Sequence, residues 1–175
     1  MAYYFLISSL PMLKYDGEMP ITYSRFLEMA NEQVSKSHYK VLEELTLSSS
    51  KGVLIDKWAK FYRQLQSELA YERNLRLGKS VQPLQVRDDN ITNVVTTAIS
   101  LENALEAEEL LLKLQFEKID ELIGMHIFDD YALNGYAIKL KLLERKGLFT
   151  KEKGKVEFSR IIASIEEDIT SMENW

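Results

Sequence analysis

The residues with the chemistry to form a site are few, and the two histidines, His38 and His126, come first. A carboxylate-bridged metal centre on helices needs Glu-x-x-His pairs on facing elements. His38 follows Ser35 at that spacing and His126 follows Ile123, so neither completes a pair. The chain also has no H-E-x-x-H, no G-x-x-x-x-G-K-[ST], no G-x-G-x-x-G and no G-x-S-x-G. With no cysteine there is no disulfide, thiolate ligand or Cys nucleophile, which is compatible with a reducing cytoplasm. Asp88–Asp89 and Asp129–Asp130 suit a hard cation in type, but calcium wants about 6 or more oxygens and nothing adjacent supplies them. Turn and N-cap roles are expected for both pairs. No catalytic residue, metal ligand or cofactor is expected, and both histidines are read as surface or helix-end residues.

The second chemical feature is charge where an apolar face should continue. Wound at about 100° per residue, Trp58, Phe61, Tyr62, Leu65 and Leu69 share one stripe, the pattern of a core-facing helix. In "ELAYERNLRLGK" that stripe runs into Glu72, Arg73 and Arg76. On a second long segment, Glu108 interrupts the stripe of Leu105 and Leu112, with Glu109 at its edge. Charges taken out of water are costly unless paired, and a planar Arg with a carboxylate is the usual pairing. One reading is an ion-pair lock between Glu72, Arg73 and Arg76 and the acidic turn Glu106–Glu109, with Glu108 as the main partner. A second lays the Arg stems along the core edge with their heads in water. An anion pocket is the weakest of the three, because the cluster is close to neutral.

The elements that must position these residues read as helices. Only 7 Gly and 3 Pro occur among 175 residues, and long stretches carry helical rather than alternating periodicity. Residues 3–10 fit a strand or a short buried helix; the helix is favoured because a lone strand has nothing to pair with. Thr22 is expected to cap a helix running to about Val34, and Ser37 to cap "HYKVLEELTL". A long helix is expected over 53–77, stopped by Gly78 in the left-handed conformation. "KSVQPLQVRDDN" is the clearest internal break. Beyond it come a short helix, "ITNVVTTAIS", and a long helix over 101–123 with Leu101, Leu105, Leu112, Phe116, Ile119 and Ile123 as its stripe, ending at Gly124. The next helix, capped by Asp129, carries Leu133, Tyr136, Ala137 and Leu140 on one side and Tyr131, Ile138 and Leu142 on the other, so it is expected between neighbours. A last helix carries Val156, Ile161, Ile162, Ile165 and Ile169. The expected fold is all-α: one helical domain over 1–175, open to division into two lobes, 1–78 and 91–175, joined by 79–90.

Lys+Arg of 22 against Asp+Glu of 27 gives net −5, which argues against nucleic-acid binding, since that needs a basic footprint. The apolar N-terminus lacks the positive start of a signal peptide and the ~20 residues of a membrane span, so it is read as core. Positive charge gathers late in the chain, at Lys139, Lys141, Arg145, Lys146, Lys151, Lys153 and Lys155. These are candidates for an acidic partner or anionic lipid, with a solvated face as the plain alternative.

Four segments in order, "YYFLISSLPML", "WAKFYRQLQSELAYERNLRLGK", "NALEAEELLLKLQFEKIDEL" and "FDDYALNGYAIKLKLLER", resemble a family of uncharacterised bacterial proteins. That family is encoded beside V/A-type ATPase genes and is related to the C subunit of those ATPases, the d subunit in eukaryotes. The resemblance implies an all-helical body with no active site that couples a membrane rotor ring to the central stalk. This chain falls well short of a full C subunit, so an accessory counterpart is expected rather than a complete stalk socket. The resemblance therefore implies a non-enzymatic subunit or assembly factor of a V/A-type ATPase, with ATPase subunits as partners and no small-molecule substrate. It implies a cytoplasmic place, extending to the inner face of the plasma membrane through partners only. A free-standing helical adaptor is the alternative.

Overall fold

The computed structural model describes residues 3–148 together with Ser159, Arg160 and Ile162. Among them lie seven helices and no strand: α1 (Tyr4–Ser9), α2 (Tyr23–Asn31), α3 (Lys36–Glu43), α4 (Val53–Arg76), α5 (Asp89–Ser100), α6 (Ala104–Ile123) and α7 (Asp130–Lys146). The chain divides into two compact units, Met1–Glu144 and Arg145–Trp175. That division falls after Glu144, whereas 79–90 runs inside the first unit, where α4, α5 and α6 pack on one another. Of the apolar positions in the expected last helix, only Ile162 is described; the others, with Lys151, Lys153 and Lys155, lie outside the described residues.

Local chemistry sets most helix ends. Thr22 accepts from the Arg25 N–H at 3.2 Å and starts α2, which stops at Asn31, short of Val34. The cap of α3 is Ser35, not Ser37: Ser35 Oγ accepts from the His38 N–H at 3.3 Å, its backbone is extended, and Ser37 lies inside the first turn. Two serines two residues apart are equally good caps by type, and the backbone of Ser35 decides between them. At the far end of α4, Gly78 has φ +68 and Lys79 N–H closes on Asn74 O at 3.0 Å, satisfying carbonyls the helix leaves open.

The expected helix over 101–123 is shorter than its stripe. Leu101 is extended, and Asn103 Oδ1 accepts from the Leu105 N–H at 3.0 Å to begin α6 three residues later. Leu101 is therefore outside the helix, and Leu105 is exposed. Gly124, with φ +55, ends α6. Asp129 Oδ1 accepts from the N–H groups of Tyr131 at 3.0 Å and Ala132 at 3.2 Å and starts α7.

The core of the first unit is built around Trp58, Phe26, Ile119 and α7. On α7, Leu133, Ala137, Ile138, Leu140 and Leu142 are all at most 2% exposed, so this helix is packed on both sides. Gly135 permits the closest approach: a Cβ there would collide with Ile123 Cδ1 and stand 2.6 Å from Ile123 Cγ1 on α6. Trp58 buries its ring and still donates Nε1–H to Leu47 O at 3.0 Å, which satisfies the one polar atom it takes inside.

Candidate functional site

At the charged end of α4 the structure makes a different pairing from the expected one. Glu68, 1% exposed, accepts at Oε1 from Arg87 Nε at 3.1 Å, from Arg87 Nη2, and from Thr92 Oγ1 at 3.1 Å. Arg87 Nη2 also donates to Glu72 Oε1 at 2.7 Å, and the guanidinium lies 5.0 Å from the Tyr71 ring centre. Hydrogen bonds donated to Glu68, opposed by burial and reinforced by Glu72, raise the Arg87 pKa and hold it charged. Arg76 Nη1 donates to Ile99 O, and Arg73 and Arg76 are exposed.

Among the described residues no ion pair joins Arg73 or Arg76 to Glu106, Glu108 or Glu109, which corrects the expected lock. The reason lies with the arginines: Arg73 and Arg76 are exposed, so no desolvation cost on their side drives a pairing. Of the expected cluster, Glu72 joins the Glu68–Arg87 pair. Glu68 and Arg87 do the work instead, and one signal for them was present. Phe61, Glu68 and Glu72 fall in one column of α4, and two stacked carboxylates beside an aromatic call for a cation.

The candidate partner residues are also engaged within the fold. Lys139 Nζ pairs with Asp120 at 2.5 Å and lies 5.3 Å from the Phe116 ring centre, with its side chain 14% exposed. Lys141 Nζ pairs with Glu144 at 3.0 Å and sits 3.7 Å from the Tyr23 ring centre. The two lysines thus seal the flanks of α7 and do not form a free basic face. Arg145 and Lys146 lie in the second unit and are half-buried.

One cleft of about 340 Å³ is lined by Tyr3, Ser35, His38, Lys51, Asp130 and Asn134, among others. His38 lines it from the first turn of α3, a helix-end position as expected, but its side chain is only 10% exposed, which corrects the surface alternative. Its Nε2 lies 2.9 Å from Asn134 Oδ1; its Nδ1 lies 3.0 Å from Tyr3 Oη and 3.1 Å from Asp130 Oδ1. Both nitrogens have partners, so the ring ties α1, α3 and α7 together. Burial, then the Asp130 carboxylate, pushes the Tyr3 phenol up to about 12. His126 is a helix-end residue as expected, stacked on Tyr131 with centroids 4.2 Å apart and paired with Asp129. The paired aspartates act as caps: Asp88 for α5 and Asp129 for α7. Among the described residues, no group of three metal-capable side chains occurs.

An exposed apolar surface joins α1 to the α6–α7 turn. Tyr4 packs on Phe128 with centroids 4.7 Å apart, and Phe5, Met125 and Ile127, on the same two elements, stand 80%, 96% and 63% exposed.

These residues define an all-helical protein held together by caps, a twice-packed central helix and internal ion pairs. Among the described residues, no helix is long and apolar enough to cross a membrane. No family model, curated protein or solved structure matches the chain.

Proposed function

We propose that the protein is a non-enzymatic helical subunit or assembly factor of a V/A-type ATPase, built as a helical bundle like that of the ATPase C subunit and acting by docking. The supporting observation is α7. The segment "YALNGYAIKLKLLER", which resembles a segment of the ATPase C subunit, forms the helix on which the first unit is assembled, with its apolar residues packed on both sides. Such a helix makes a stiff body, and stiffness is what a coupling or assembly element needs. The protein works without a cofactor or a small-molecule substrate. Its place is the cytoplasm and the inner face of the plasma membrane, where it is held through ATPase subunits of the rotor ring or central stalk. Lys139 and Lys141 are secondary candidates for that contact, because their ammonium groups already pair with Asp120 and Glu144.

The experiment is affinity capture of the intact chain from solubilised membranes, beside an Arg145→Glu/Lys146→Glu variant whose far-UV spectrum matches wild type. Stalk or ring subunits should be recovered in fixed proportion, and less with the variant if that end of α7 carries the contact. Recovery of soluble proteins alone would favour the second reading, a free-standing helical adaptor.

A further inference from the structure

The Tyr4–Phe5–Met125–Ile127 surface carries an inference that does not depend on the ATPase reading. Each of these side chains is large, apolar and 45% to 96% exposed, while Leu6 next to them is fully buried. The surface is fixed in place. Tyr4 packs on Phe128. The turn that carries Met125 and Ile127 is held by Gly124 at φ +55, by His126 N–H on Ile123 O at 3.1 Å, and by the His126–Tyr131 stack. A preorganised apolar surface loses little entropy when it is covered.

We propose that this surface is the contact between two copies of the chain. Area is the first argument. Side chains of this size offer about 150–250 Å² each when fully exposed, so the four present on the order of 500 Å² per copy. Two copies in a two-fold contact then bury about 1,000 Å², the lower bound for a specific interface. Charge is the second. Asp129, paired with His126 on the same turn, and Lys57, which lies 5.8 Å from the centre of the Tyr131 ring on which His126 stacks, put both signs beside the surface. A two-fold contact therefore does not set a block of one charge against itself. Chemistry is the third: Phe5 of one copy against Met125 of the other is a favourable aromatic–thioether contact. An area at the lower bound gives a weak dimer that forms as concentration rises.

The test is sedimentation velocity of the full chain across the micromolar range, beside Phe5→Asp and Ile127→Asp. Wild type should pass from monomer to dimer with concentration, and either substitution should weaken the dissociation constant by about 10-fold or more. Far-UV spectra should coincide, since both side chains point to water. If Phe5→Asp disturbs the fold, Met125→Asp, at the most exposed of these positions, takes its place. A wild-type chain that stays monomeric throughout overturns the proposal, and so does a dimer that all three substitutions leave unchanged.

Discussion

Arg87 reaches back across 19 residues of sequence to the buried carboxylate of Glu68, donating through Nε at 3.1 Å. That contact fastens the 79–88 segment to α4 and gives the buried Glu68 carboxylate a cationic partner inside the first unit. Removing one partner of a buried pair leaves an uncompensated charge, whereas removing both can be close to neutral. Arg87→Ala should therefore lower the urea midpoint clearly, and Arg87→Ala/Glu68→Met should recover most of the loss. Equal midpoints for wild type and Arg87→Ala would show that the contact carries no stability.

Gly135→Ala should destabilise the chain although alanine is the better helix former. The helix-propensity gain is at most about 1 kcal/mol, while overpacking a tight helix contact costs about 1–3 kcal/mol. The added methyl meets Ile123, so Ile123→Val should return part of the loss. Chemical denaturation of the single and double variants measures both numbers.

Asp129 carries a pH dependence of definite sign. Burial pushes its carboxyl up, but hydrogen bonds from His126 and the Ala132 and Tyr131 N–H groups outweigh that and hold it below the ordinary range. A depressed folded pKa adds stability that is present above about pH 4, the unfolded value, and is lost as pH falls through the folded value. Asp129→Ala should cost about 0.5–2 kcal/mol at neutral pH through the lost cap. Asp129→Asn should keep much of the cap and flatten the acid limb of the stability curve. An acid limb unchanged in Asp129→Asn would assign it to other carboxylates.

The phenols give the alkaline counterpart. Burial, then the Asp130 hydrogen bond and charge, raises Tyr3 to about 12; burial alone raises Tyr136 to about 12; burial, then Glu144, raises Tyr23 further. Raised folded values add stability that is intact below about pH 10 and fades as pH climbs through the folded values. A tyrosinate absorbance titration should show a late-titrating group of phenols, and Tyr136→Phe should remove one member of it. A single transition at the ordinary phenol value would contradict the buried placement of these rings.

The parts of the fold that were legible in the sequence are those set by local chemistry. Thr22 and Asp129 as caps, Gly78 and Gly124 as stops, and the two-sided burial of α7 all follow from residue type and spacing. The break at Leu101–Asn103 was hidden because Leu101 and Leu105 keep helical spacing straight through it, while Asn103 acts as a cap. Arg87 was hidden for a different reason. Periodicity assigns faces to helices and says nothing of where a loop residue returns, so the partner of Glu68 needed three dimensions. Lys139 was legible as charge but not as contact, since Asp120 is supplied by another helix, and Lys141 was hidden in the same way from the Tyr23 ring it covers.

The proposed role stands or falls on stoichiometry. Native mass spectrometry of V/A-type ATPase purified through one of its own subunits, from cells carrying a tagged copy of this chain, tests it most directly. The account predicts that the chain accompanies the intact complex, or an assembly intermediate, at a fixed integral ratio that survives moderate salt. Complexes and intermediates that uniformly lack the chain, with the tagged protein recovered elsewhere, would contradict it.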